Sequence, residues 1–358
     1  MELEIISKEF GLDTKFKPHK IGSGHINETY LVLSEEGQKM VLQKINTQVF
    51  GTPEDLMSNL LIIIEHLEST DYPYPLVKVI PTQSGNQYLL DKSGCWRLLS
   101  FLEGKEAAID RNKGGITGIV AQGYGNFLKY MSTLDTSLIK ETIPDFHNPE
   151  TRFQQFISSV ESADPRRQAS AQSLIDHALA LSGITSIYAN CIKNLPLRIT
   201  HGDAKASNIL LNTSGNTIAG IIDLDTVMPG YLMNDIGDMV RSMCNTGSED
   251  ESDLSKVSLD LEIFYQLVYG FLKTTHEFLT QEELDSFLQG ISAILYEQFL
   301  RFLSDYLSGD VYYTTHYENQ NLNRAKVHLK LLIDFQAREE FLIRIINQCL
   351  SQIDSDIE

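Results

Sequence analysis

Four polar residues between positions 197 and 225 constrain this chain more than any other feature of its sequence. His201 and Asp203 form a His-x-Asp step on a turn, Asn208 follows the aspartate by five residues, and Asp223 ends a short apolar segment. The intervening residues predict a hairpin over 209–222, which would present Asp223 at the mouth of a strand, where a ligand can bind. This spacing is typical of phosphoryl-transfer sites, in which one carboxylate orients the attacking hydroxyl while an asparagine and a second aspartate hold Mg²⁺ against nucleotide phosphates.

Each polar residue of this stretch has a specific expected role. Asp203 is the candidate catalytic base, because a hydroxyl is a poor nucleophile unless a carboxylate accepts its proton. Lys205 is a candidate catalytic residue, since its charge would offset negative charge on the transferred phosphoryl group. Asn208 and Asp223 are the candidate magnesium ligands, because Mg²⁺ prefers oxygen ligands and keeps several waters. Asp225 lies on the same side of an extended chain as Asp223, so it is either a further metal ligand or a partner of a substrate hydroxyl.

The chain has 358 residues, which predicts two lobes rather than one ordinary domain. Strand-like alternation over 16–21, 28–33 and 39–45, a helical pattern over 53–67, and a hairpin over 87–101 occupy the first part. After Gly104 the pattern becomes helical. We therefore predict an α+β, bilobal, protein-kinase-like fold. A small antiparallel-sheet lobe, residues 1–103, would bind the nucleotide, and a large, mainly helical lobe, residues 104–358, would carry catalysis and substrate binding.

Capping signals mark several helices of the second lobe. Asn148 and Asp164 each precede a proline, which is a typical helix start. Thr280 and Glu283 form a capping box, and we predict that the helix it opens continues to Gly309. A last helix is predicted over about 323–350. The polar, acidic segment 246–255 is predicted to be a surface loop.

The nucleotide-binding residues of the first lobe are less sharply defined. Gly22 and Gly24 lie in the first hairpin, where glycines can cradle phosphates, and Asn27 stands where a third glycine is usual. Lys44 is the candidate cation for the nucleotide, although Gln43 competes for the inward-facing position, because a one-residue shift reverses the face of a strand. Glu65, on the following helix, would be the ion-pair partner of that lysine.

Composition excludes several classes of protein. The formal net charge of −19 disfavours nucleic-acid binding, which depends on basic patches. The longest aliphatic run, 60–64, is too short for a membrane span, and the N-terminal residues show no signal-peptide pattern. Four cysteines without Cys-x-x-Cys spacing predict free thiols in a reducing compartment. We therefore expect a cytoplasmic enzyme, monomeric or weakly homo-oligomeric, that binds neither nucleic acid nor membrane.

These motifs resemble those of the aminoglycoside phosphotransferase and choline kinase superfamily, through His201-Gly-Asp-x-Lys-x-x-Asn and Ile-Asp-Leu-Asp. Further segments narrow the resemblance to the N-acetylhexosamine 1-kinases, over nearly the whole chain: Gly-His-Ile-Asn-Glu-Thr-Tyr (24–30), Gln-Lys-Ile-Asn (43–46), Ile-Asp-Leu-Asp-Thr-Val-Met-Pro-Gly (222–230), Asn-Asp-Ile-Gly-Asp (234–238) and Arg-Phe-Leu-Ser-Asp-Tyr-Leu-Ser-Gly-Asp-Val-Tyr-Tyr (301–313). One position departs from it: those sugar kinases carry Asn between His and Asp, whereas this chain has Gly202, a residue common in the wider superfamily.

The resemblance implies ATP- and Mg²⁺-dependent phosphorylation of the anomeric hydroxyl of N-acetylglucosamine or N-acetylgalactosamine. It places His25, Arg301 and Tyr312 near the sugar, with Tyr313 or Tyr317 as alternatives to Tyr312. The fork of donors on Arg301 suits hydroxyls and an acetamido carbonyl, but an ion pair with Asp305, one helical turn away, is the competing explanation for this arginine. Two alternatives stay open: a related kinase acting on another sugar, an aminoglycoside, choline or homoserine, and a non-catalytic kinase-like binding protein.

Overall fold

The first part of the chain forms an antiparallel sheet. The computed structural model describes residues 2–12, 15–22, 26–109 and 115–357. The strands of this sheet are β1 (His19–Lys20), β2 (Glu28–Leu33), β3 (Lys39–Ile45), β4 (Val79–Ile80), β5 (Leu89–Asp91) and β6 (Gly94–Ser100). Their order is β1-β2-β3-β6-β4, and β5 also pairs with β6. The predicted strands 28–33 and 39–45 are confirmed, whereas the strand predicted over 16–21 shortens to two residues, because only His19 and Lys20 pair with β2.

Different elements cover the two faces of this sheet. Helix α1 (Glu2–Glu9) and the residue after it cover one face. There, Ile6 and Phe10 pack with Leu42, Trp96 and Leu98 of the sheet. On the other face, helix α2 (Pro53–Glu68) packs against alternate residues of the same strands in the main core. Because side chains alternate along a strand, neighbouring residues of β3 and β6 are committed to opposite faces.

The rest of the chain is mainly helical. Its helices are α3 (Ile116–Met131), α4 (Pro149–Ser162), α5 (Pro165–Ala180), α6 (Gly183–Cys191), α7 (Leu232–Met243), α8 (Leu261–Thr275), α9 (Gln281–Asp285), α10 (Phe287–Leu307), α11 (Gln320–Ala337) and α12 (Glu339–Ile357). Helix α10 is central, with α4, α7 and α11 against it, and α3 packs against α8. The predicted α+β architecture, a small antiparallel sheet joined to a largely helical part, is confirmed.

The capping signals locate helix starts correctly but overestimate helix lengths. Asn148, Asp164 and the Thr280–Glu283 capping box each cap a helix as expected. The single helix predicted from the box to Gly309 is wrong, because the chain turns at Ser286, whose hydroxyl donates to the Glu283 carbonyl, and α10 starts afresh. The last predicted helix is likewise two helices, with a break at Arg338 that lets α12 pack against α8.

Short strands within the helical part flank the loops that carry Asp203, Asn208 and Asp223. They are β7 (Lys105–Glu106), β8 (Arg198–Thr200), β9 (Ile209–Leu211), β10 (Ile218–Ile221) and β11 (Met228–Gly230). The predicted hairpin is β9-β10, and β11 pairs with β8. Strand β7 pairs with β9 rather than with the small sheet. Among the described residues, every helix is too short or too polar to cross a bilayer.

Candidate active site

A cleft of about 960 Å³ runs between the small sheet and the helical part. Its lining has two chemically distinct parts around the catalytic residues. The apolar part comes from the sheet and the β9-β10 hairpin and includes Val41, Leu99, Leu210 and Ile222. The polar part comes from the helical region and comprises Arg241, Glu249, Gln298, Arg301, Tyr312, Tyr313 and His328.

The turn that carries Asp203 is held from beneath by Asp235 of α7. The two carboxylate oxygens of Asp235 accept the backbone N–H groups of His201 and Gly202, each at 2.8 Å. His147 donates from Nε2 to the Gly202 carbonyl at 2.7 Å. Burial lowers the pKa of His201 to about 4, so this ring is neutral near pH 7 and serves the packing of the turn.

Gly202 has a backbone that other residues reach only with strain. Its φ is +76°, and a Cβ at this position would lie 2.7 Å from the carbonyl oxygen of Thr226. The turn therefore requires glycine at position 202 for two reasons: its left-handed backbone conformation and its close approach to the chain after Asp223.

Asp203 is ionised and oriented by its neighbours. Lys205 donates from Nζ to Oδ2 of Asp203 at 2.6 Å, and Asn208 donates from Nδ2 to the same oxygen at 3.0 Å. Burial alone would raise the pKa of Asp203, but the Lys205 ammonium outweighs it, and the pKa lies below its usual range. A carboxylate in this state can accept a hydrogen bond, and then a proton, from a hydroxyl in the cleft.

Asn208 and Asp223 lie side by side at the mouth of the hairpin, since Ile222 N–H donates to the Asn208 carbonyl at 2.9 Å. Asp223 has a left-handed backbone, with φ 62°, and its side chain is open to the cleft. Within the described part of the chain, its carboxylate has no hydrogen-bond or ion-pair partner. Desolvation by the surrounding protein raises its pKa to about 7, and the nearby carboxylates of Asp203 and Asp225 add to the effect.

A divalent cation fits this pair of residues. An unpartnered carboxylate of raised pKa gains most from a nearby positive charge, and Asn208 adds a neutral oxygen beside it. The described residues hold no cluster of three or more His, Cys, Asp or Glu side chains suited to a metal ion. A Mg²⁺ ion held by only two protein ligands completes its coordination with phosphate oxygens and water.

Asp225 occupies a different environment from the one predicted. Its Oδ1 lies 2.7 Å from Nη1 of Arg97, and its Oδ2 accepts from Nη2 of Arg97 and from Nδ2 of Asn27, each at 2.7 Å. Both side chains of the Arg97–Asp225 pair are almost completely buried, at 2% and 1% exposure. With both oxygens engaged, Asp225 does not fit the predicted role of metal ligand, and Asn27 braces Asp225 instead of lying free for phosphates.

Lys44 lies on the wrong face of the sheet for nucleotide binding. Its Nζ stacks over the Trp96 ring at 5.6 Å, on the α1 side, while Gln43 faces the cleft. The prediction of Lys44 as a nucleotide-binding residue therefore does not fit the structure, because the register places Gln43 inward. Glu65 is exposed on α2 and makes no ion pair with Lys44 among the residues described.

The glycine loop is described only in part. Gly22 lines the cleft, with φ +76° and open space where a Cβ would stand, as a phosphate-binding backbone requires. The predictions for Gly24 and His25 lie outside the described residues.

Arg301 lines the polar part of the cleft and has no ionic partner among the described residues. Its guanidinium lies 5.9 Å from the centre of the Tyr312 ring and 5.6 Å from that of Tyr313. In the described ranges it forms no hydrogen bond or ion pair, so the competing Arg301–Asp305 pair does not exist. Asp305 instead accepts the backbone N–H groups of 311, 312 and 313 at 2.8 to 2.9 Å and thereby fixes the loop that carries both tyrosines.

Tyr317 lies away from this group. Its hydroxyl donates to Asp250 Oδ2 at 3.0 Å, which ties the loop after α10 to the acidic loop 246–255. Tyr312 and Tyr313 line the cleft and Tyr317 does not.

Sequence reasoning missed three residues of the site: Arg97, Arg241 and His147. Arg97 and Arg241 line the cleft, and His147 holds the catalytic turn. Arg97 has one sequence signal, because it is a charged residue within the apolar strand Cys95-Trp-Arg-Leu-Leu. A charge in a buried strand requires a partner, although its identity is not readable from the sequence.

Comparison with known proteins gives a family match. The model described as "Phosphotransferase enzyme family" matches residues 18–254, a range that includes Gly22, Asp203, Asn208 and Asp223.

Solved structures share the fold across almost the whole chain. The microcompartment-associated aminopropanol kinase aligns with a TM-score of 0.66 at 12% identity, covering 95% of this chain and 98% of that one. The amicoumacin kinase hAmiN, in complex with AMP-PNP, Ca²⁺ and Ami, aligns with a TM-score of 0.64 at 13% identity, covering 92% of each chain. An aminoglycoside phosphotransferase from Alicyclobacillus acidocaldarius gives a TM-score of 0.61 at 12% identity, covering 98% and 96%. At these identities the likeness establishes a common fold.

Proposed function

Because the chain belongs to the phosphotransferase enzyme family, we propose that it is an ATP- and Mg²⁺-dependent kinase that phosphorylates a hydroxyl group of a small molecule. One observation carries this proposal: Asp203, Asn208 and Asp223 line the same cleft, with Asp203 ionised and Asp223 lacking a partner among the described residues. A non-catalytic binding protein would not need an ionised carboxylate next to a carboxylate and an amide that together suit a divalent cation.

The residues of the cleft divide the reaction among them. Asp203 accepts a hydrogen bond from the acceptor hydroxyl and takes its proton as the hydroxyl oxygen bonds to the γ-phosphorus of ATP. The bond between that phosphorus and the β–γ bridging oxygen breaks, and ADP leaves with the electron pair. Lys205, bonded to Asp203, keeps the carboxylate ionised and brings positive charge near the transferred group.

Different residues of the cleft would bind the nucleotide and the metal ion. The apolar part of the cleft suits the faces of an adenine ring, and the open backbone at Gly22 suits its phosphates. Asn208 and Asp223 would hold Mg²⁺, which, when bound, neutralises charge on the phosphate oxygens.

For the acceptor we propose an N-acetylhexosamine phosphorylated at its anomeric hydroxyl. The Arg301 guanidinium disfavours cationic acceptors such as aminoglycosides or choline, since it has no carboxylate partner in the described structure. Its fixed donors suit hydroxyl and acetamido oxygens, and Tyr312 provides a half-exposed ring against which a sugar can pack. Glu249, the carboxylate of the polar part, already lies near Arg241 and Arg324, at 3.7 and 3.5 Å.

A coupled ADP-release assay with N-acetylhexosamines, other sugars, aminoglycosides, choline and homoserine tests the proposal. We expect turnover with an N-acetylhexosamine and formation of its 1-phosphate. Turnover restricted to amine-bearing acceptors would contradict the proposed acceptor but not the proposed kinase activity. ATP binding without turnover on any acceptor would favour the non-catalytic alternative.

Two variants test the assigned roles. Asp203→Asn should abolish turnover and leave nucleotide affinity near that of wild type, because the residue acts on the acceptor hydroxyl. Arg301→Ala should raise the KM of the acceptor with little change in that of ATP, and Arg344→Ala, on the exposed surface of α12, is the matched control. Equal changes in both KM values for Arg301→Ala would contradict a contact with the acceptor.

A further inference from the structure

We propose that Arg97 is a positioning residue for the catalytic segment: acting through Asp225, it fixes the turn that presents Asp223 to the metal. The inference rests on the proposed function, since it assigns Arg97 a part in Mg²⁺-nucleotide binding. It gives a role to the charged residue that interrupts the apolar strand β6.

The contacts of Arg97 span the cleft. Its Nε and Nη2 donate to Oε1 of Gln43 at 2.9 and 2.8 Å, which sets the plane of the guanidinium. Nη1 and Nη2 face the two oxygens of Asp225 at 2.7 Å each. Gln43 is thereby the second anchor of the arginine, which accounts for a glutamine on the cleft face of β3.

Asp225 passes this restraint to two functional elements. Asp223 lies two residues earlier in the same turn and has a left-handed backbone, which an L-residue keeps only when its surroundings enforce it. Asn27, a few residues beyond Gly22, donates to Asp225 and accepts the Asn46 N–H at 3.0 Å. One carboxylate therefore joins the strand β6, the end of the glycine loop and the turn of the metal ligand.

The described structure has no lysine–glutamate pair between β3 and α2 that could link the sheet to the nucleotide site, because Lys44 and Glu65 both lie elsewhere. Among the residues that the structure describes, the Arg97–Asp225 pair is the buried ionic link between the small sheet and the catalytic segment. Burial of two charges is costly, and such a pair is often no more stable than apolar residues of similar volume. Its placement beside the metal ligand is therefore better explained by positioning than by stability.

The test measures AMP-PNP affinity in excess Mg²⁺ and in EDTA, and takes the ratio of the two dissociation constants as the metal-dependent gain. Arg97→Met and Asp225→Asn should each reduce this gain by at least about tenfold, the loss typical of residues that orient metal ligands. Either single variant leaves a buried charge without its partner, so its thermal unfolding must be measured alongside.

The double variant Arg97→Met/Asp225→Leu separates positioning from stability, because it removes both charges together. We expect it to melt cooperatively near the wild-type temperature and still lack the metal-dependent gain. A wild-type gain in the double variant would overturn the proposal. If the double variant does not fold, Arg97→Lys decides: lysine keeps the charge but loses the fork, and a wild-type gain in it would also overturn the proposal.

Leu98→Ala is the matched control, since Leu98 follows Arg97 on β6, is fully buried, and faces the α1 side. It should lower the melting temperature and keep the gain. The assay needs no acceptor. If the wild-type protein binds Mg²⁺-AMP-PNP but phosphorylates no N-acetylhexosamine, only the proposed acceptor is contradicted. If the wild-type protein shows no metal-dependent gain, the proposed kinase function itself is contradicted.

Discussion

Replacement of Gly202 by alanine should damage both the stability and the activity of this protein. The substitution adds one methyl group at a backbone with φ +76°, 2.7 Å from the Thr226 carbonyl oxygen and 3.3 Å from its Cβ. The left-handed conformation costs an L-residue about 1–2 kcal/mol. Relief of the overlap by movement of a packed turn costs about 1–3 kcal/mol more, so the free energy of unfolding should fall by about 2–5 kcal/mol in total.

Gly215 provides a control for the conformational part of this cost. Its φ is +74° in the turn of the β9-β10 hairpin, and a Cβ there would meet no atom within 4 Å. Gly215→Ala should therefore lose only about 1–2 kcal/mol. The difference between the two variants measures the overlap with Thr226.

Urea unfolding followed by far-ultraviolet circular dichroism gives both free energies, and steady-state assays give kcat. We expect kcat of Gly202→Ala to fall roughly a hundredfold, because the residue adjoins Asp203 and displacements near 1 Å have such effects. Gly202→Asn should recover part of the conformational cost only, since asparagine tolerates φ > 0 but still carries a Cβ. Equal destabilisation of Gly202→Ala and Gly215→Ala would refute the argument from close approach.

Three further predictions follow from the placement of single side chains. Lys44→Met should change the KM for ATP by no more than about twofold, because Lys44 faces α1. A much larger rise in this KM would indicate that Lys44 contacts the nucleotide. Asp235→Asn should lower kcat more than it changes either KM. An amide offers one acceptor to the two N–H groups of the catalytic turn, and the N–H group left unpaired costs about 1–3 kcal/mol. An effect on KM alone would contradict this prediction. Burial lowers the pKa of His328 to about 4 in the folded protein, whereas an unfolded histidine titrates near ~6.5. The unfolded state therefore binds the extra proton between these values, stability falls as pH is lowered through that window, and His328→Gln should flatten the slope in unfolding measurements from about pH 7 to 4.

The loop and hairpin that carry Asp203, Asn208 and Asp223 were predictable because the sequence signals for them are local. The spacing of Asp203, Asn208 and Asp223 within one short segment fixes a loop and a hairpin, and both are present. Helix starts were predictable for the same reason, since Asn148 and Asp164 accept N–H groups only two or three residues away.

The roles of Lys44 and Asp225 depend on information that is not local. A one-residue change of strand register exchanges Lys44 for Gln43, and the register is set by pairing with two other strands. Asp225 meets Arg97 across 128 residues of sequence, so its engagement follows from the assembled fold alone. Likewise, the helix breaks at Ser286 and Arg338 occur at residues that are neither proline nor glycine, so the strongest sequence signals of a helix end are missing there.

The three backbone N–H groups gathered by Asp305 have a consequence for the evolution of this site. The rim formed by residues 311–313 takes its shape from a carboxylate beneath it, while Val311 and Tyr312 project outward at 79% and 49% exposure. Side chains at these two positions can be exchanged without loss of the rim's backbone path. Single substitutions at these positions would therefore change the contacts offered to an acceptor while the backbone of the rim stays in place. A substitution of Asp305 would instead remove the hydrogen bonds that hold this backbone.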